Sequence, residues 1–70
     1  KIEYSVQNKG KVHLAVYDLL GREVDVLVNG EQNAGRHEVV FFGANLTSGI
    51  YFYKLTANNQ TVTKKMMLMK

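Results

Sequence analysis

Leu46-Thr47-Ser48-Gly49-Ile50-Tyr51-Phe52-Tyr53-Lys54-Leu55-Thr56-Ala57 is followed by Asn58-Asn59 and by a run that ends Thr63-Lys64-Lys65-Met66-Met67-Leu68-Met69-Lys70. Two runs rich in β-branched, aromatic and threonine residues on either side of an Asn-Asn pair describe a β-hairpin. Asparagine tolerates the left-handed backbone that a two-residue turn demands. The second run breaks its own alternation: Val62, Lys64, Met66 and Leu68 share parity, so Lys64 falls on a mainly apolar face. Either a bulge at Lys64-Lys65 resets the register, or Lys64 sits at the sheet rim and extends outward.

Working outward from this hairpin, period-2 alternation dominates the rest of the chain, and no segment sustains a helical pattern. Ile2, Tyr4 and Val6 alternate with Glu3, Ser5 and Gln7; Val12, Leu14 and Val16 alternate with His13, Ala15 and Tyr17. Further runs cover Arg22 to Val28 and Arg36 to Phe42, before Ile50 to Ala57 and Gln60 to Met69. The glycines fall between these runs, and Asn29-Gly30 is a second candidate turn, or else opens a longer polar loop. Leu46, Gly49, Tyr51 and Tyr53 lie at the spacing of the tyrosine corner, with Tyr53 where antibody domains carry their second cysteine. Tyr51, Tyr53 and Leu55 then face inward, the Tyr51 hydroxyl bonds to backbone a few residues upstream, and Ile50 and Phe52 point outward. The expected fold is all-β: a small immunoglobulin-like antiparallel β-sandwich of six to seven strands, in one domain spanning residues 1–70.

A 70-residue chain buries only about 60% of the surface its unfolded form exposes. With no cysteine it has no disulfide to staple it, and the redox compartment is unreadable. Hydrophobic residues make up 46% of the chain, enough for a packed core. The net charge of +3 is unevenly spread: residues 1–38 carry five Lys/Arg against six Asp/Glu, whereas residues 39–70 carry Lys54, Lys64, Lys65 and Lys70 and no acid. A one-signed half suits an anionic partner; it equally suits a sheet edge guarded by lysines. No stretch approaches the roughly 20 apolar residues of a transmembrane helix. Lys1-Ile2-Glu3-Tyr4 already alternates like a strand and is not a signal peptide, so an export signal, if the protein has one, is expected upstream and the chain to be a piece of a longer protein.

The residues offer little chemistry. His13 and His37 have no second ligand at metal-pair spacing, so neither a metal nor another cofactor is expected. The six carboxylates are scattered, no serine sits in a nucleophile elbow, and no glycine-rich loop leads into a helix. Asn45-Leu46-Thr47 and Asn59-Gln60-Thr61 match the glycosylation tripeptide, but both are explained as turns. Only Tyr17, Phe52 and Lys54 resemble a nucleic-acid-binding set, too few to imply that partner. The chain is not expected to be an enzyme.

The stretch Val16-Tyr17-Asp18-Leu19-Leu20-Gly21-Arg22-Glu23-Val24, then Leu27-Val28, Ala34-Gly35-Arg36-His37, Val39, Phe41 and Asn45-Leu46, resembles the C-terminal sorting domains of the type IX secretion system of Bacteroidetes-like bacteria. The likeness is strongest at Ser48–Leu55 and at Lys64–Lys70. The same signature occurs in Ig-like domains similar to that of the flagellar hook-capping protein. The resemblance implies a sorting signal on exported cargo, recognised by outer-membrane secretion machinery, with a sortase-like peptidase and an upstream cargo domain as further partners. It implies passage through the periplasm to the cell surface or the extracellular space. Its turn-and-strand motif falls on Gly49 and Tyr51, and its terminal basic motif on Lys64, Lys65 and Lys70. Phe42 departs from the pattern, standing where many members have Asp, which alters the local turn or exposes an aromatic ring.

These residues suggest recognition through the final strand as an accessible edge. A translocon strand would pair with its backbone, the lysines would steer toward an acidic surface, and Met66, Met67, Leu68 and Met69 would fill pockets. Two other readings suit the residues: an Ig-like structural accessory module of a larger extracellular enzyme or assembly protein, and a carbohydrate-binding module with Tyr17 and Phe52 as an exposed aromatic face.

Overall fold

The computed structural model describes residues 1–43 and 45–69; Lys70 lies outside the described residues. Six strands follow in order: β1 (Ile2–Val6), β2 (Gly10–Tyr17), β3 (Glu23–Gln32), β4 (Gly35–Val39), β5 (Gly49–Ala57) and β6 (Gln60–Leu68). A four-stranded sheet has the order β3-β2-β5-β6, and β1 pairs with β4 in a second, two-stranded sheet. Every pairing is antiparallel. The sheets stack in a sandwich-like arrangement, as the alternation requires, since each has one apolar face to cover.

The core forms where the central strand β2 meets β5. Val12, Leu14 and Val16 are fully buried, and stand opposite Ala57, Leu55 and Tyr53. Ile2 and Val6 close the core from the smaller sheet. Burying one such aliphatic side chain contributes roughly 1.5–3 kcal/mol. Tyr4 and His37 are opposite each other on β1 and β4, with rings stacked at 5.3 Å between centroids. The Tyr4 hydroxyl donates to Gln32 Oε1 at 3.1 Å, joining the small sheet to β3, and partial burial pushes the Tyr4 pKa up.

Two expectations change, and one alternative left open is decided. Asn29-Gly30 is not a turn: Asn29 faces His13 and Gly30 faces Val12 inside the β2–β3 ladder. Local turn preference yields there because β2 begins at Gly10 and supplies partners as far as Gln32, so the third run extends well past Val28. The run from Arg36 stops at Val39 and not at Phe42. Its partner β1 offers positions only from Val6, opposite Gly35, to Ile2, opposite Val39. Val40 and Phe42 are therefore left exposed, Phe42 at 80%. Lastly, no bulge resets Lys64. The β5–β6 register runs without a shift through nine pairs, from Gly49–Leu68 to Ala57–Gln60. Lys64 lies opposite Tyr53 and is exposed at the rim.

The hairpin turn is as its residues require. Asn58 and Asn59 have φ of 51° and 62°, the paired left-handed conformation of a type I′ turn. Asn58 also grips the β1–β2 connection: Asn8 N donates to its Oδ1 at 3.3 Å, and its Nδ2 donates to the Asn8 carbonyl at 3.0 Å. Gly43 is favoured by its backbone conformation and lies close against the end of β6. Its φ is +60°, and an added Cβ would stand 2.9 Å from a Leu68 methyl, so the loop before β5 is moulded onto the end of β6.

Because Leu14 has no exposed surface, Leu14→Ala should lower unfolding stability by about 2–5 kcal/mol. That is comparable to the whole stability expected of so short a chain, on the order of 4–10 kcal/mol. Urea titration followed by circular dichroism measures it; a loss under 1 kcal/mol would mean the core lies elsewhere.

Candidate functional site

The corner preceding β5 sets the site. The Tyr51 hydroxyl donates to the Thr47 carbonyl at 2.8 Å, and the ring is buried at 7% exposure. This is the tyrosine-corner bond that the spacing predicts. Gly49, at φ +155°, occupies a backbone region open to glycine and strained for other residues. Chain direction into β5 is thus fixed at two points within three residues.

The register then carries that geometry to the terminal ribbon. Gly49 faces Leu68, Ile50 faces Met67, Tyr51 faces Met66, Phe52 faces Lys65 and Tyr53 faces Lys64. The residues singled out from sequence, Gly49, Tyr51 and Lys64 to Leu68, are therefore one continuous two-stranded ribbon. β6 is the edge of the four-stranded sheet. Lys64 and Lys65 are exposed and project to opposite faces, while Met66 and Leu68 are half-buried on the core side. Met67 is 66% exposed on the outer side, and Met69, just past the end of β6, is 79% exposed. Lys70 belongs to the same motif but lies outside the described residues.

Charge is partitioned as cleanly as position. The ion pairs among the described residues join Lys1 to Glu38, Lys9 to Glu31 and Arg22 to Asp18. None uses a cation of the hairpin. Tyr17 and Phe52 are directly opposite on the outer face of the large sheet; both are half-buried. With Lys54, Thr63 and Asp18 they line one shallow hollow. Among the described residues no three His, Asp or Glu side chains converge on a point. His37 is engaged structurally, with Nε2 2.7 Å from the Asn33 carbonyl, so that nitrogen carries the proton.

One element was missed in the sequence. Asp18-Leu19-Leu20-Gly21-Arg22 folds as a self-contained turn between β2 and β3. Asp18 Oδ1 accepts from Leu20 N and Arg22 N, both at 2.9 Å, and Oδ2 accepts from Arg22 Nε at 2.9 Å. Gly21 supplies a φ of 81°, and its N–H donates to the Asp18 carbonyl at 3.0 Å. The Arg22 backbone N–H, with the guanidinium and Leu20 N–H behind it, holds the Asp18 carboxyl below its usual range. The available signal was Asp followed three residues later by Gly, a pattern suited to side-chain-capped turns. The turn lifts Leu19 and Leu20 into solvent at 67% and 78% exposure, beside Leu46 and Tyr51 of the corner.

The family model described as the secretion system C-terminal sorting domain matches residues 1–69. No curated protein and no solved structure matches the chain.

Two substitutions test the geometry. Tyr51→Phe keeps the ring and removes only the bond to Thr47, so it should cost about 0.5–1.5 kcal/mol; an unchanged urea midpoint would show that the bond holds nothing. For Asp18, a folded pKa below the unfolded value means that its contribution is present above the unfolded pKa and is lost as pH falls through the folded one. The wild type should therefore shed this part of its stability below about pH 4. Asp18→Asn, which keeps an acceptor without the charge, should show a flatter acid limb in thermal melts from pH 7 to pH 2.

Proposed function

The chain belongs to the secretion system C-terminal sorting domain family, the sorting signal by which type IX secretion exports cargo to the cell surface or the extracellular space, and on that premise we propose that the signal is read from the β5–β6 ribbon. The family is a sorting domain and not a known enzyme family. The carrying observation is the position of β6 at the edge of the large sheet, in unbroken register with β5. An outer-membrane component of the secretion machinery would add a strand there, with Gly49 and Tyr51 setting the ribbon's direction. Lys64, Lys65 and Lys70 would meet its charge, and Met66 to Met69 would fill its pockets. Each exposed charge pair is worth only about 0–1 kcal/mol, so backbone pairing and apolar contact carry most of the affinity. Removal of the domain by a sortase-like peptidase, once the cargo is across, would complete the sequence of events.

Fusion of residues 1–70 to a periplasmic reporter in a type IX-competent host should deliver the reporter to the cell surface or medium. The same fusion ending at Thr63 should leave it in the periplasm. Equal export by both fusions would refute recognition through the ribbon.

A further inference from the structure

The described edges of the two sheets are not equivalent. β3, on the far side of the large sheet, breaks register twice against β2, between Leu14 and Ala15 and between Val16 and Tyr17. Bulges of this kind twist an edge away from a new partner. β1 and β4 are five residues each. β6 has nine residues in unbroken register and no proline. Counting from the two-residue turn, bonded and non-bonded pairs alternate. Gln60, Val62, Lys64, Met66 and Leu68 thus spend their backbone groups on β5, and Thr61, Thr63, Lys65 and Met67 aim theirs at the free side.

Lys64 is the midpoint of β6. A second copy pairing antiparallel at full overlap would set Lys64 against the same lysine of that copy. Of the two neighbouring registers of the same parity, one sets Lys65 against its counterpart, and the other, centred on Thr63, sets the two Lys64 side chains diagonally, still within reach of each other. Like charges directly opposite across strands are destabilising. Both lysines are exposed, and no carboxylate of the described residues pairs with either. All six acids lie within residues 1–38.

We propose that β6 accepts a strand from a partner carrying two consecutive acidic residues at its centre, one facing Lys64 and the next facing Lys65, and that the same lysine pair keeps a second copy of this chain off the edge. The inference rests on the ribbon-recognition reading and adds the chemistry of what docks. Consecutive residues of a strand project to opposite faces, so a doublet matches a Lys-Lys pair in either strand direction, whereas a single acid satisfies one lysine. Apolar residues flanking the doublet would cover Val62 and Met66 on the core side, and Met67 on the other. The charges stay at the rim, so pairing requires little desolvation.

Three nine-residue peptides of alternating Thr and Val, with Glu-Glu, Gln-Gln or Lys-Lys at the centre, test this on the intact chain. At low ionic strength the Glu-Glu peptide should bind roughly tenfold tighter than Gln-Gln, and Lys-Lys should not bind. Amide exchange should slow at Thr61, Thr63, Lys65 and Met67. The K64E/K65E variant should reverse the ranking, and K64T/K65T should form dimers in sedimentation with protection at the same four amides. Equal binding of the three peptides to wild type, or protection on β3, overturns the proposal; this arm stands even if a variant fails to fold. A chain that ranks the peptides as stated while the full and Thr63-truncated fusions export the reporter equally would sink the ribbon-recognition reading and leave acidic-strand capture as a property of the β6 edge alone.

Discussion

Unbroken pairing between β5 and β6 is the constraint on which the rest of the structure depends. A two-residue turn with both asparagines left-handed fixes which residue faces which, and a single slip would carry every side chain of β6 to the other face. At the opposite end of the ribbon, Gly49 and the Tyr51–Thr47 bond hold the entry of β5. Between those anchors the register leaves no freedom. Lys64 must stand on the core-facing side, and it is tolerated there because the smaller sheet has only two strands and leaves β6 at the rim.

Much of this was legible in the sequence because it was local. The hairpin, the corner hydrogen bond and the all-β class follow from Asn58-Asn59, from the spacing of Leu46, Gly49 and Tyr51, and from period-2 alternation. Asn29-Gly30 was misleading for the opposite reason. Its dipeptide preference is local, whereas its fate was decided by distant partners on β2, with Asn29 opposite His13 and Gly30 opposite Val12. The early end of β4 is likewise a property of β1, which no reading of Arg36–Phe42 contains.

The candidate site divides in the same way. Which residues would line the ribbon was readable from alternation, and the family resemblance marked its ends. That the final strand would be an accessible edge was expected and holds, but alternation alone does not fix it, since edge or centre depends on whether any later or earlier strand crosses over. The role of Asp18 stayed hidden because its partners, Leu20 and Arg22, are backbone donors that become available only once the turn has formed. The motif around it reads as a signature, and its physical content is a carboxylate satisfying its own loop.

The Asn8–Asn58 amide clamp has a consequence for the order of assembly. Two side chain–backbone bonds tie the first connection of the chain to its last turn, and β2 finds its second neighbour only in β5. During synthesis from the N-terminus, the central strand β2 waits with one of its two ladders unmade until β5 emerges from the ribosome. Long loop closure of this sort slows folding. Compactness in this domain therefore reports that translation has passed through the ribbon, and a chain interrupted before it would stay open to proteases.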